Sequence, residues 1–121
     1  IVAASEIGYL SASTPDLTLI DIAGLNDDFI AKNRFSTDYL LSRRPDLIWF
    51  PPADCTGVIF KILSSENFWD EYDYFPEAYN YGIAIRKAGK NAGEIKARIK
   101  ENWSKRFPDS DFERCQALGK Y

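Results

Sequence analysis

The sequence contains no histidine and no methionine, and it has two cysteines among its 121 residues. Without histidine, the chain cannot build a histidine-based catalytic triad, a histidine general base or most zinc sites. Cys55 and Cys115 are too few for a zinc cluster and too far apart for a CxxC redox motif. They are expected either to pair in an oxidising compartment or to pack separately as small hydrophobic side chains.

Long apolar segments and nucleotide-binding loops are also missing. No apolar run approaches the roughly 20 residues that a membrane-spanning helix needs. There is no GxGxxG loop, Walker loop or GxSxG elbow, so no cofactor is expected. The net charge of −3 and the lack of a nucleic-acid-binding signature argue against nucleic acid as a partner. Because the chain starts at Ile1 and lacks methionine, we expect a piece excised from a longer protein.

The composition is that of a single globular domain covering residues 1–121, with 45% hydrophobic and 15% aromatic side chains to form a core. Charge is uneven along it. Residues 1–85 carry 5 basic and 13 acidic side chains, whereas residues 86–121 carry 10 basic and 5 acidic ones. The basic end is predicted either to lie as a solvated helix against an acidic body or to face anionic lipid or an acidic partner.

Short apolar runs alternate with helical patterns along the chain. The runs predict strands at about 1–5, 17–23, 46–50 and 81–87. Alternating strands and helices indicate an α/β fold with a mostly parallel sheet of about four strands and helices on both faces. The predicted core consists of Ile20, Ile22, Leu47, Ile48, Ile59, Ile62, Ile83, Ile85, Ile95 and Ile99.

The stretch from Leu17 to Ala31 reads as a strand, a tight turn and a helix start. Asp21, Asn26 and Asp27 fall at this junction, where open parallel sheets bind ligands, and are candidate ligand-binding residues. Alternatively, Asp27 caps the helix. Asp21, inside a buried strand, needs a partner and is predicted to accept hydrogen bonds from the turn or from a nearby hydroxyl.

A second candidate site lies in the segment from Phe68 to Tyr81, FWDEYDYFPEAYNY, which interleaves aromatic and acidic residues. Trp69, Tyr74 and Tyr79 are candidates for stacking on sugar rings, with the carboxylates accepting sugar hydroxyls. The alternative is a long loop whose aromatic rings pin it to the core.

Four stretches carry a resemblance to a known family. Glu6–Leu10, Leu19–Asp27, Ile30-Ala31 and Arg44–Ile48 resemble, in order and spacing, a pattern with E-x-G, [VI]-D-x-x-G-L-x-D and R-x-P-D-[LVI]-[IV]. It is found in the C-terminal soluble domain of bacterial multi-pass glycosyltransferases of the GT-C type, which include arabinofuranosyltransferase-like and mannosyltransferase-like proteins. The match covers about the first 50 residues.

The resemblance implies an accessory periplasmic domain, on the extracytoplasmic face of the inner membrane, of an enzyme that uses polyprenyl-phosphate-linked sugar. Its implied partners are the membrane-embedded part of the same chain and a glycan acceptor. The family's catalytic carboxylates lie in loops of the membrane part, so no catalytic residue carries over and the chain alone is expected to lack turnover. Two alternatives stay open: a non-enzymatic module binding a protein or glycan through the aromatic-acidic segment, and a metal-dependent hydrolase using Asp21, Asp27 and Asp28.

Overall fold

The computed structural model describes residues 1–4, 18–22, 28–51, 56–76 and 82–108. In these residues, five strands form one sheet and five helices contribute side chains to its two hydrophobic clusters. The strands are β1 (Val2–Ala4), β2 (Leu19–Asp21), β3 (Leu47–Trp49), β4 (Tyr72–Phe75) and β5 (Ile83–Arg86). The helices are α1 (Asp28–Asn33), α2 (Thr37–Ser42), α3 (Thr56–Leu63), α4 (Glu66–Glu71) and α5 (Ala92–Arg106).

The sheet is mixed, with the strand order β2-β1-β3-β5-β4. Strand β1 pairs in parallel with β2 and with β3. Strand β5 pairs antiparallel with β3 on one side and with β4 on the other. The predicted mostly parallel sheet of about four strands is therefore wrong: the sheet has five strands, and half of its strand pairs are antiparallel.

The error has a physical cause in the aromatic-acidic segment. Residues 72–75, interpreted as part of a loop or a ligand platform, form strand β4, in which Tyr72 and Tyr74 are buried and Asp73 is half-buried. The connection from β4 to β5 spans only residues 76–82. A parallel pair needs a crossover of a dozen or more residues, so this short connection joins antiparallel neighbours.

The strand register places one row of side chains across the whole sheet. Because side chains alternate between the faces of a strand, paired residues share a face. The row consists of Tyr74, Ala84, Ile48, Ala3 and Ile20. Helices α1 to α4 cover this face with the buried side chains Ile30, Leu40, Ile62 and Phe68.

Helix α5 covers the opposite face. There Phe75, Ile83 and Ile85 pack with Trp103 in a second cluster, which Leu47 and Trp49 complete from β3. The line of Ile95, Ile99 and Trp103 at four-residue spacing provides the contact surface of the helix. The core thus has two layers, one on each side of the sheet.

Six of the ten predicted core residues are buried, at most 3% exposed: Ile20, Ile22, Ile48, Ile62, Ile83 and Ile85. The other four, Leu47, Ile59, Ile95 and Ile99, are half-buried at the edges of the clusters. The aromatic part of the core is larger than predicted. It includes Phe50, Phe68, Tyr72, Tyr74 and Phe75, each no more than 5% exposed.

Serine side chains begin two of the helices. Ser36 Oγ accepts from the backbone N–H of Tyr39 at 3.3 Å and so caps the start of α2. Ser65 Oγ does the same for Phe68 at 3.4 Å, so α3 and α4 are separate helices. Asn91 occupies the cap position of α5, but its side chain makes no capping bond. The backbone of Asn91 has a ψ of 20° instead of the extended conformation that is typical of a capping residue.

Candidate functional site

Asp21 is the last residue of β2 and is 2% exposed. Its backbone pairs with Ala4 of β1, so its side chain lies on the face opposite that of Ile20. The prediction that this carboxylate sits within the buried sheet is confirmed. The turn to which it is predicted to bond, with Asn26 and Asp27, lies outside the described residues. The ligand-binding role of these three residues stays a prediction.

Trp69 and Tyr74 belong to an aromatic cluster formed by Phe50, Phe68, Trp69, Tyr72 and Tyr74. The rings of Trp69 and Tyr74 meet edge to face with centroids 5.8 Å apart, and Phe68 stacks on Tyr72 at 5.5 Å. The indole N–H of Trp69 donates to the carbonyl oxygen of Leu63 at 2.9 Å. The aromatic cluster therefore joins α3, α4 and β4, and Tyr74, at 5% exposure, presents little ring surface to a ligand. Tyr79 lies outside the described residues.

The two candidate sites are separated by the sheet. Asp21 lies on β2 and Tyr74 on β4, which are the two outermost strands in the described sheet. Their side chains also point to opposite faces, since Tyr74 shares the row of Ile20 and Asp21 follows Ile20. The structure does not bring the acidic turn and the aromatic segment together into one site.

A polar network instead forms at the amino end of β3. Asp46 Oδ2 accepts from the amino group of Ile1 at 2.8 Å, and Oδ1 accepts from Arg86 Nη2 at 3.2 Å. The bond from Ile1 and then the contact with Arg86 hold the pKa of Asp46 below its usual 3.8, against the opposing effect of burial. The Tyr72 hydroxyl donates to the carbonyl oxygen of Pro45 at 2.7 Å, and burial raises the pKa of that phenol.

A cleft of about 360 Å³ opens beside this network, between the first residues of β1 and β3 and the first half of α5. We call it the Asp46 cleft. It is lined by Ile1, Val2, Asp46, Leu47, Asn91, Glu94, Ile95 and Arg98. Its position at the amino ends of the parallel strands is the reverse of the carboxyl-end site expected for an open parallel sheet.

The sequence interpretation missed this cleft because its walls come from distant parts of the chain. In the sequence, Glu94 and Arg98 have the spacing of a helical i,i+4 pair, and the structure joins them at 3.0 Å. Asn91 stands where a helix cap would be expected. The one signal available in sequence was Asp46, a carboxylate placed directly before an apolar strand, where it requires a partner.

In a comparison with known proteins, a family model described as a domain of unknown function (DUF8728) matches residues 1–112. No curated protein and no solved structure matches the chain. Within the described ranges, no group of three or more Cys, Asp or Glu side chains is placed to hold a metal ion, and no helix is long and apolar enough to cross a membrane.

Proposed function

We propose that this chain, which belongs to the DUF8728 family, is a non-catalytic accessory domain of a membrane glycosyltransferase that uses polyprenyl-phosphate-linked sugar. In this proposal the domain lies on the extracytoplasmic face of the bacterial inner membrane. It contacts the membrane-embedded part of its own chain and helps to bind the glycan acceptor. The support is the sequence resemblance together with what the residues that carry it do in the fold.

One observation carries the proposal: two of the matching stretches form strands of the parallel half of the sheet. Leu19–Asp21 form β2, and Leu47 and Ile48 form most of β3. Strand β1 lies between them and pairs with both in parallel. Two stretches that are far apart in sequence thus lie on either side of the same strand, as expected if the pattern records a shared architecture.

The roles of two further pattern residues favour support of the fold over chemistry. The carbonyl oxygen of Pro45 accepts the buried hydrogen bond from Tyr72, which connects the start of β3 to β4. Asp46 connects the start of β3 to Ile1 and to Arg86 at the end of β5. Each of these groups joins strands on different parts of the sheet. Because these pattern residues make contacts within the fold, they suit a domain that binds the acceptor or braces the enzyme.

The alternative of a protein-binding module through the aromatic-acidic segment gains no specific support. Tyr72, Tyr74 and Phe75 are buried in the core, and Trp69 is half-buried against it. The described part of that segment therefore uses its aromatic surface within the fold. We retain the accessory glycosyltransferase domain as the function that the observations favour.

The test uses the open reading frame that contains this chain. We expect it to encode several apolar segments of roughly 20 residues, the length that crosses a bilayer. Three proteins are compared for sugar transfer from a radiolabelled polyprenyl-phosphate donor: the parent protein, the parent lacking residues 1–121, and the isolated chain. We expect transfer by the parent, weaker transfer without the domain at limiting acceptor, and none by the isolated chain. A parent without membrane segments, or turnover by the isolated chain that Asp21→Asn abolishes, would contradict the proposal.

A further inference from the structure

We infer that the Asp46 cleft binds a neutral, polyhydroxylated ligand, namely a sugar unit of the acceptor. The identification of that sugar as the acceptor rests on the proposed function, whereas the class of ligand is argued from the cleft itself. The cleft measures about 360 Å³. This volume lies at the lower end of the range of about 300–1,000 Å³ found for small-molecule sites.

The charges around the cleft are balanced in pairs. Asp46 Oδ1 faces the guanidinium of Arg86 at 3.2 Å. Glu94 Oε1 lies 3.0 Å from Arg98 Nη2. A strongly cationic or anionic ligand would have to compete with one of these existing pairs. A neutral ligand with many hydrogen-bonding groups can add to them without breaking them.

Three planar polar groups at the cleft retain capacity for further hydrogen bonds. The Asn91 amide makes no capping bond to its helix. The side chains of Glu94 and Arg98 remain 60% and 76% exposed although they pair with each other. A carboxylate has two acceptor oxygens and a guanidinium has five N–H donors, so each can bind more than one hydroxyl. Groups of this shape suit the adjacent hydroxyls of a sugar.

The remaining lining is aliphatic and fits the C–H surface of a sugar ring. Val2, Leu47 and Ile95 are half-buried and line the cleft from β1, β3 and α5. An extended peptide would instead need an unpaired strand edge to bond with. Strands β1 and β3 each pair on both sides, so neither offers such an edge at the cleft. The side chains and the paired strands together favour a sugar over a peptide strand.

The first experiment is a titration of the isotope-labelled chain followed by the amide signals in nuclear magnetic resonance spectra. The probes are methyl α-D-mannopyranoside and methyl α-D-glucopyranoside, with L-arginine methyl ester and inorganic phosphate as charged comparisons. We expect the glycosides to shift the amides of Val2, Leu47, Asn91 and Ile95. Larger shifts of these amides with either charged probe, or glycoside shifts confined to other residues, would overturn the inference.

The second experiment uses variants to identify the residues that contact the glycoside. Asn91→Ala and Arg98→Ala are each expected to weaken glycoside binding by about three- to tenfold, the effect of losing one or two hydrogen bonds. Lys105→Ala is the matched control, because Lys105 and Glu101 form the same i,i+4 pair at 3.2 Å beyond the cleft on the same helix. Equal weakening by Lys105→Ala, or none by Asn91→Ala and Arg98→Ala, would contradict the site.

The outcomes separate the inference from the proposed function. Glycoside binding at the cleft, combined with a parent protein that has no transferase activity, would contradict the proposed function and leave the cleft assignment intact. An active parent enzyme whose isolated domain shows no glycoside shift at the cleft would overturn the cleft assignment alone.

Discussion

The two halves of the sheet differ in the side chains that they contribute to the core. In the parallel half, formed by β2, β1 and β3, the central row consists of the aliphatic side chains Ile20, Ala3 and Ile48. In the antiparallel half, β4 contributes the buried aromatic side chains Tyr72, Tyr74 and Phe75, while β5 contributes Ile83, Ala84 and Ile85. The comparison shows that residues 72–75 of the aromatic-acidic segment form a strand of the core, although the composition of the segment suggests a ligand platform.

The halves also differ in what they contribute to the proposed function. The parallel half contains Leu19–Asp21 and Leu47-Ile48 of the glycosyltransferase pattern, and the amino ends of β1 and β3 border the Asp46 cleft. The antiparallel half is joined to the start of β3 by two hydrogen bonds. The Tyr72 hydroxyl donates to the carbonyl oxygen of Pro45, and Arg86 donates to Asp46. We therefore expect substitutions in the antiparallel half to affect stability most strongly, and substitutions at the cleft to affect binding.

Removing the centre of the aromatic cluster should have the largest effect. Phe68 is fully buried against the rings of Phe50, Tyr72 and Tyr74. Phe68→Ala is expected to lower the free energy of unfolding by about 3–5 kcal/mol. Phe60→Ala, at a side chain that is 73% exposed, is the control and should change it by no more than about 0.5 kcal/mol. Urea unfolding measures the free energy of unfolding of both variants. Similar losses in the two would show that the aromatic cluster is not part of the core.

The hydrogen bond between the two halves is tested by Tyr72→Phe. The substitution keeps the buried ring but leaves the carbonyl oxygen of Pro45 without its donor. The expected loss of unfolding free energy is about 1–3 kcal/mol. Tyr39→Phe is the matched control, because the Tyr39 hydroxyl bonds to Arg43 Nη1 at a half-buried position. An unchanged denaturation midpoint for Tyr72→Phe would mean that this bond does not hold the halves together.

The turn that enters β5 requires glycine at position 82. Gly82 has a φ of +88°, and an added Cβ would lie 3.1 Å from the carbonyl oxygen of Pro76. Gly82→Ala is expected to cost about 1–2 kcal/mol from the left-handed backbone alone. Gly57→Ala provides the opposite case, since nothing lies within 4 Å of an added Cβ in that helix. It should be neutral or stabilising by up to about 1 kcal/mol, and thermal unfolding that ranked the two variants in reverse would contradict the turn geometry.

Disrupting the polar network at Asp46 should lower the free energy of unfolding the least, and by an amount that depends on pH. The folded state lowers the pKa of Asp46 below 3.8, so its stabilising contribution is present above that pH and is lost as the pH falls through the folded-state value. Asp46→Asn should lower stability near neutral pH by up to about 1 kcal/mol, because the carboxylate is part-exposed. The difference from wild type should shrink below pH 3.8. Exposed Asp70→Asn is the control, and a difference for Asp46→Asn that grows on acidification would contradict the assignment.

The sequence allowed β1, β2, β3 and β5 to be predicted, whereas β4 was missed. Short apolar runs such as Leu19-Ile20 and Leu47-Ile48, bounded by turn residues, favour strands. The alternation of Tyr72, Asp73 and Tyr74 was equally visible as a strand pattern. It was overlooked because the acidic residues around it suggested exposure, whereas aromatic side chains provide much of the buried surface here.

The Asp46 cleft could not be predicted, because it depends on tertiary arrangement. Asp46 meets Ile1 and Arg86, which are 45 and 40 residues away in sequence. Nothing in the local pattern at Asn91 or Glu94 distinguishes a helix start from the wall of a cleft. The cleft forms because β1 pairs beside β3 and the first half of α5 packs next to the starts of these two strands.

The central claim is that this domain helps to bind an acceptor and takes no part in the chemistry. The most direct measurement is the transfer rate of the parent enzyme against acceptor concentration, for wild type, Asn91→Ala and the control Lys105→Ala. We predict that Asn91→Ala raises KM for the acceptor by about three- to tenfold and leaves kcat unchanged, since it removes binding that substrate and transition state share. A fall in kcat with unchanged KM would contradict the claim.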